Sequence, residues 1–195
     1  MSTGYQIVLA LHIITVVLMA APYYNLVVVS ERGRFGPAHL DVDRFFEQIV
    51  KGILFRCYFV QWTALILGVY LVLIPPTLTP GAMLDNWRLV VKIAAWALIM
   101  AIHNYVYFLI QPKIKTILDA SGDGPLAGLE LGRVAALRSQ RKLGAASCLF
   151  LVMLSVIMGL QVLSTYPWGA TAGLSAAAFA LAAVVHRTGG RFGWV

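Results

Sequence analysis

Five apolar runs, each close to the length that crosses a lipid bilayer, constrain the fold of this chain more than any other feature of its sequence. A helix rises about 1.5 Å per residue, so about 20 residues cross the hydrocarbon core. Counted in this way, the runs cover residues 5–29, 54–74, 89–110, 143–164 and 170–186. The fifth run is the shortest and is rich in alanine and glycine. The five runs predict five transmembrane helices.

The composition supports the same conclusion. Hydrophobic residues make up 60% of the 195 residues, and charged residues make up 12%. These proportions are typical of a membrane protein and exclude an ordinary soluble domain. A chain of this length with five spans has room for one compact bundle. We therefore expect residues 1–195 to form a single all-α domain, an integral membrane helical bundle.

Basic residues are concentrated around two of the loops and predict the orientation of the chain. They follow the first and third spans: Arg32, Arg34, Arg44, Lys51, Arg56, Lys113, Lys115, Arg133, Arg138, Arg141 and Lys142. Because cytoplasmic loops are enriched in Lys and Arg, both loops are predicted to be cytoplasmic and the N-terminus to lie outside. We expect a multi-pass protein of the bacterial inner (cytoplasmic) membrane. The formal net charge of +7 is then a topology signal, with contacts to anionic lipid headgroups, and we expect no nucleic-acid partner.

Both long loops are predicted to contain a helix. In the first loop, Asp41 or Asp43 would cap a helix with one apolar face, which we expect to lie on the membrane surface before the chain turns into the second span. In the second loop, residues 126–142 are predicted to be helical and basic at their end. Cys57 and Cys148 begin the second and fourth spans near the predicted cytoplasmic face, which is reducing, so we expect no disulfide.

Two histidines and a lysine lie within the apolar runs, where ionisable groups are costly and usually face the bundle interior, a cofactor or a proton path. His12 lies about 10 Å below the predicted outer end of the first span, and Lys92 about 6 Å below the outer end of the third. The two side chains are therefore predicted to share a site in the outer half of the membrane. His103 lies about 22 Å from the outer surface, so we expect the two histidines to belong to separate sites.

Imidazole and thioether groups are usual axial ligands of b-type haem, and two ligands of one haem must lie at nearly equal depth on different helices. His103 with His186 meets this condition, and so does His12 with Met158. Two further thioethers lie near the depth of His103: Met19 and Met153. The candidate metal ligands are thus the three histidines His12, His103 and His186.

Each of these residues also has a purely structural interpretation. An intramembrane histidine can hydrogen-bond a neighbouring helix, and Lys92 can extend its ammonium to the outer headgroups. His186 borders Arg187 at the predicted inner interface, which favours the structural interpretation there. Methionines in spans are more often packing residues than ligands. The residues alone leave both interpretations open.

Several short motifs in the first three spans resemble the HemJ-type bacterial protoporphyrinogen IX oxidases and the related copper-resistance-D-like membrane proteins. Residues 10–14, which read Ala-Leu-His-Ile-Ile, are similar to the opening of that family, and the Tyr-Tyr pair at residues 23–24 is similar to the end of its first span. The remaining matches lie at the start of the second span and in the third: Arg56, Trp87, Lys92 and His103. The resemblance covers residues 5–112.

The resemblance implies a small helical bundle that binds b-type haem or a porphyrin within the membrane. It implies that His12 is the leading haem ligand, with Lys92, Arg56 and His103 as supporting polar residues. If the chain is an oxidase of this kind, His12 and Lys92 would be the catalytic residues that bind the tetrapyrrole and its propionates.

The chain departs from the family pattern at two places in the first span. Residues 19–22 read Met-Ala-Ala-Pro instead of an aromatic-Gly stretch, and Asn25 replaces a basic residue. With these departures, haem-linked or quinone-linked electron transfer is favoured at least as much as oxidase activity.

Three functions therefore stay open. The first is a haem-b-binding protein of electron transfer, as a subunit of a larger membrane complex or alone. The second is a protoporphyrinogen IX oxidase of haem biosynthesis. The third is a cofactor-free structural subunit whose histidines hydrogen-bond between helices. The expected partners are membrane lipid, a quinone or redox partner subunits, and the other chains of an oligomer or complex.

Overall fold

Five long helices make up most of the chain that the computed structural model describes, which comprises residues 3–31, 40–73, 86–121, 126, 128–163 and 167–188. They are α1 (Thr3–Ser30), α2 (Leu40–Leu73), α3 (Trp87–Ala120), α4 (Gly128–Leu163) and α5 (Trp168–Thr188). All five are long and apolar enough to cross a membrane. The predicted all-α bundle is confirmed, and the chain is a multi-pass membrane protein. Two of the basic loop residues lie outside the described ranges, Arg32 and Arg34, and so do the predicted ends of the second and fourth spans, Ile74 and Ser164.

Two of the helices are much longer than the predicted spans. α2 runs without interruption for 34 residues and α4 for 36, so each is about 50 Å long. α2 joins the predicted surface helix to the second span, and α4 includes most of the helix predicted over residues 126–142. The predicted turn between the surface helix and the second span is therefore wrong. The segment stays in line with the span because its acidic side chains pair with α4 inside the bundle.

The first turns of α2 direct their acidic face inward and their apolar face outward. Asp43 and Glu47 are buried, whereas Phe45 and Ile49 are exposed. α2 begins at Leu40, before both of the aspartates that were predicted to cap it, so neither is its N-cap. Asp43 instead accepts a hydrogen bond from α4.

α4 is the central helix of the bundle. Half of the residues in its most apolar segment are buried, compared with 17–28% in the corresponding segments of the other four helices. α1, α3 and α5 each pack against α4, and α2 packs against α1. We call the end of the bundle that carries Thr3, Trp87 and Trp168 the N-terminal side. The opposite end, which carries Ser30 and Leu40, is the basic side.

A network of buried charges joins the helices on the basic side (the charge network). Its centre is the carboxylate of Glu47 on α2, which is 6% exposed. Arg138 of α4 donates to Glu47 Oε1 over 3.0 Å and to Asp43 Oδ1 over 3.1 Å. Arg141 of the same helix is fully buried and pairs with the same Glu47 carboxylate. Two arginines of one helix therefore share one carboxylate of another.

The other donors of Arg141 are satisfied by α1 and α3. Its Nε donates to Ser30 Oγ over 3.1 Å, and its Nη1 donates to Gln111 Oε1 over 2.9 Å. Gln111 Nε2 in turn donates to Glu47 Oε2 over 3.0 Å. Because an unpaired buried charge costs several kcal/mol, this complete set of partners is what allows a guanidinium to lie at the centre of four helices.

Removal of the shared carboxylate is expected to destabilise the bundle strongly. Glu47→Ala leaves Arg138 and Arg141 buried without their common counter-charge, and we expect the free energy of unfolding to fall by about 3–5 kcal/mol. Cys57 and Cys148 are free and buried. A thiol-reactive fluorescent maleimide will therefore report the unfolding of the detergent-solubilised protein during heating.

The matched control is Asp119→Ala, which removes a carboxylate from an exposed ion pair with Lys115. Exposed pairs contribute about 0–1 kcal/mol, so this variant should unfold at nearly the same temperature as the unchanged protein. Equal losses of stability in the two variants would contradict the role assigned to the charge network.

Candidate functional site

His12 lies against a glycine of the neighbouring helix. A Cβ built at Gly68 of α2 would lie 3.1 Å from Cε1 of the His12 ring, so a side chain there would force the ring to move. The lack of a side chain at Gly68 therefore creates the space that the ring occupies. The backbone of Ala64, one turn earlier on α2, also lies close to the ring. His12 Nδ1 is buried and has no hydrogen-bond partner among the described residues.

Lys92 of α3 takes a matching position against α4. Its Nζ lies 3.3 Å from the place that a Cβ would occupy at Gly159. The ammonium lies within electrostatic range of the His12 ring. In the part of the chain that the structure describes, no carboxylate lies within ion-pair distance of Lys92. The structure thus brings His12 and Lys92 into one site on the N-terminal side.

A second cation lies one turn from Lys92 on the same helix. The guanidinium of Arg88 lies 5.4 Å from the centroid of the Trp87 ring. Its Nε is buried without a hydrogen-bond partner in the described ranges. Because residues four apart share one face of a helix, Arg88 and Lys92 make this end of α3 attractive to anions.

A free imidazole nitrogen beside an ammonium defines the chemistry available to the site. A metal-ligating histidine almost always donates its second N–H to a carbonyl or a carboxylate, and the Ala64 carbonyl is the group beside the His12 ring that could accept it. Lys92 offers a charge-assisted hydrogen bond to a carboxylate or phosphate. These are the residue types that bind a metal-centred ligand with an anionic substituent.

His103 belongs to a separate polar cluster. It is 1% exposed, and neither ring nitrogen has a hydrogen-bond partner within the described residues. Tyr58 of α2 packs edge-on against the ring at a centroid distance of 4.3 Å, and Tyr23 of α1 does so at 6.5 Å. Gln61 donates to the Tyr23 hydroxyl, and the Tyr58 hydroxyl donates to Asn104. The cluster surrounds the imidazole with aromatic rings and leaves its nitrogens without bonds.

A π-helical turn follows His103 in α3. It covers Val106–Ile110 and ends just before Pro112. Proline has no N–H, and its ring clashes with the carbonyl four residues earlier, so a wider turn relieves the clash. Single π turns inside long helices are frequent at functional sites. The backbone of Leu54 approaches the His103 ring from α2 without forming a hydrogen bond of ordinary geometry.

The structure separates the two histidines along the bundle. His12 contacts α2 at Gly68, and His103 contacts it at Tyr58. These positions of α2 are about 15 Å apart along the helix axis. The two rings therefore lie in different sites, as the depth count predicted.

The other predicted ligands lie in different surroundings. Met158 is buried in an apolar cluster with Ala178 of α5, whereas His12 packs against α2. His186 is partly buried near the end of α5, within electrostatic range of Lys142. Two thioethers contribute to the apolar core: Met19 and Met153.

Arg56, the remaining predicted site residue, is exposed on α2 toward the basic side. It lines a shallow groove of about 540 Å³ together with aromatic side chains of the same helix. About 12 Å of helix separates it from Ala64, so the structure does not bring Arg56 to the site that contains His12.

A metal site built from several side chains is not present in the described ranges, where no three His, Cys, Asp or Glu residues lie close enough together to hold an ion. A haem iron needs one or two protein ligands, so this finding does not bear on haem.

Comparison of the chain with family models, curated proteins and solved structures found no match. The family resemblance of the first three spans therefore stays a prediction.

The two glycines of the site were not predicted from the sequence, although a signal for them exists. Gly68 and Gly159 lie about 9 and 8 Å from the predicted outer ends of their spans. These depths are close to those counted for His12 and Lys92. A search for a glycine on one span at the same depth as a polar residue on another would have found both contacts, His12 with Gly68 and Lys92 with Gly159.

Gly68→Val is expected to displace the His12 ring and destabilise the bundle. Overpacking of this kind typically costs about 1–3 kcal/mol, so the maleimide assay should show unfolding at a lower temperature. Gly52→Val is the matched control, since nothing lies within 4 Å of a Cβ built at Gly52 of the same helix. Unfolding at the same temperature in both variants would show that the ring is not packed as described.

Proposed function

We propose that this chain is a haem-b-binding protein of the bacterial inner membrane that takes part in electron transfer, alone or as a subunit of a larger complex. The observation that supports this proposal is the state of His12. Its Nδ1 is buried and has no hydrogen-bond partner among the described residues, and the ring lies beside the backbone of Ala64. A buried polar atom without a partner is costly, and a ligand that bonds to the His12 ring would remove that cost.

The side chains around His12 are of the types that would hold a haem and its carboxylate substituents. His12 would be the residue that holds the haem iron, and the backbone of Ala64 would help to orient its ring. Lys92 would bind a haem propionate, since its ammonium has no carboxylate partner in the ranges that the structure describes. When bound, haem would supply one-electron redox chemistry, which the low polarity of the surrounding helices would tune.

We propose a quinone or a redox subunit as the electron partner. Both can reach a site that lies between apolar helices. The described residues form helices and short connections without a separate folded unit that could serve as an internal electron donor.

Protoporphyrinogen IX oxidation is a second candidate function, and Lys92 is the observation that favours it. A partly buried ammonium without a carboxylate partner fits a tetrapyrrole that carries two propionates. In that case His12 and Lys92 would be the catalytic residues. Expression of the chain in a bacterial strain that lacks the oxidase tests this candidate, and restored haem synthesis would support it. If the strain still makes no haem, although the purified protein binds haem in other cells, electron transfer would be favoured.

The purified protein is expected to show the α-band of b-type haem in a reduced-minus-oxidised spectrum. His12→Ala removes the proposed axial nitrogen and should lower the haem content by at least about tenfold. His103→Ala is the matched control, because it removes the second intramembrane histidine and should leave the band in place.

Two outcomes would contradict the proposal. If the band survives in His12→Ala but disappears in His103→Ala, the haem is bound at His103, between Tyr23 and Tyr58, and not at His12. A stable protein without colour, purified from cells that make haem, would favour the cofactor-free structural subunit.

The N-terminal side is expected to face the outside of the cell. We propose Gly169→Cys and Lys115→Cys as reporters, because both positions are exposed and lie on opposite sides of the bundle. A membrane-impermeant maleimide should label Gly169→Cys in intact spheroplasts, and Lys115→Cys only after permeabilisation. The native cysteines are buried and should give little background. The reverse labelling pattern would show that the N-terminal side faces the cytoplasm, contrary to the prediction.

A further inference from the structure

Arg88 belongs to a line of side chains on α3 that faces the interior of the bundle. Further along this line, Ala95, Ile99 and His103 are buried. The same spacing of three or four residues, continued toward the N-terminal side, reaches Lys92 and then Arg88. Both cations therefore lie on the inner face of α3, and Arg88 is one turn closer to the end of the bundle.

Aromatic rings position the guanidinium of Arg88. It lies 5.4 Å from the centroid of the Trp87 ring, which stacks on Trp168 of α5 with the ring centroids 4.7 Å apart. The attraction of a cation to an aromatic ring stabilises the guanidinium without providing a hydrogen-bond acceptor. Because Nε of Arg88 is buried and has no hydrogen-bond partner among the described residues, a positioned donor is left without an acceptor in that part of the chain.

The carboxylates of the described ranges are all far from these two cations. Six acidic side chains are described, and every one of them lies on the basic side: Glu31, Asp41, Asp43, Glu47, Asp119 and Glu130. Arg88 and Lys92 lie at the opposite end of the bundle, near the start of α3. The positive charge of the N-terminal side is therefore available to a bound anion.

The spacing of the two cations favours a ligand with two separate acidic groups. Residues four apart on a helix have their Cβ atoms about 6 Å apart, so Arg88 and Lys92 can each contact a different carboxylate. A guanidinium binds a carboxylate through two parallel hydrogen bonds, and an ammonium binds one as a point charge.

We propose that Arg88 and Lys92 each bind one propionate of the same tetrapyrrole, so that the site selects a tetrapyrrole with two free carboxylates over an esterified one. Arg88 is then a specificity-determining residue of the site that contains His12. The inference rests on the tetrapyrrole ligand of the proposed function, but it does not depend on iron.

Titration of the detergent-solubilised full chain with metal-free protoporphyrin IX, followed by porphyrin fluorescence, tests the inference separately from iron ligation. The uncharged dimethyl ester of the same porphyrin is the reference ligand. We expect Arg88→Gln to weaken binding of the diacid by at least about tenfold and binding of the ester by less than about threefold. Partition of a porphyrin into detergent is the same for every variant, so the ratio between variants measures the site.

Two further variants separate the charge of Arg88 from its shape and position. Arg88→Lys keeps the charge and loses the paired hydrogen bonds, so it should weaken binding of the diacid by about threefold. Arg133→Gln removes an exposed arginine on the basic side and should change the affinity for neither porphyrin.

Three outcomes would overturn the inference. Unchanged binding of the diacid in Arg88→Gln would show that Arg88 does not contact a carboxylate. Equal losses for the diacid and the ester would show that Arg88 only supports the packing of the site. Displacement of protoporphyrin IX by an equimolar amount of dioleoylphosphatidylglycerol would assign the cations to a lipid headgroup.

The proposed function can fail separately. A purified protein that contains no haem, but whose preference for the diacid depends on Arg88, would contradict electron transfer and support this inference. A protein that carries haem at His12, but whose affinity for the diacid does not change in Arg88→Gln, would support the proposed function and overturn this inference. Failure of both porphyrins to bind the unchanged protein would overturn both.

Discussion

The arrangement of the helices depends on the carboxylate of Glu47, which Arg138 and Arg141 share. In apolar surroundings neither guanidinium can be left without a counter-charge, so α2 and α4 have one permitted register relative to each other. Ser30 and Gln111 bring α1 and α3 into the same contact. This contact also explains why α2 and α4 continue in line beyond the predicted spans instead of turning along the membrane surface.

The two sides of the bundle differ in whether their buried polar groups have hydrogen-bond partners. On the basic side, the buried guanidinium of Arg141 has acceptors on three other helices. On the N-terminal side, two glycines leave room for His12 and Lys92, and the His12 Nδ1 atom has no bond among the described residues. Complete pairing stabilises a fold, whereas unpaired buried groups in a membrane are typical of ligand sites. The charge network therefore stabilises the fold on one side, and the function proposed for the other side depends on the unpaired His12 nitrogen.

Counting residues along apolar runs predicted the five helices and the shared depth of His12 and Lys92, because hydropathy and helical rise are local properties. It did not predict the continuous α2, whose direction depends on a bond between Asp43 and Arg138, 95 residues apart in the chain. The tyrosines around His103 were missed for a similar reason, since three helices contribute to that cluster. The ligand of His12 stays a prediction because it is not encoded as a pattern in the residues.

The uninterrupted course of α2 and α4 links the two sides mechanically. Glu47 and Gly68 lie about 32 Å apart on one helix, and Arg141 and Gly159 lie about 27 Å apart on the other. A helix without a break transmits a tilt at one end as a displacement at the other. Because the His12 ring lies against Gly68 of α2 and the Lys92 ammonium against Gly159 of α4, the angle that the charge network sets between these two helices contributes to the spacing between the ring and the ammonium.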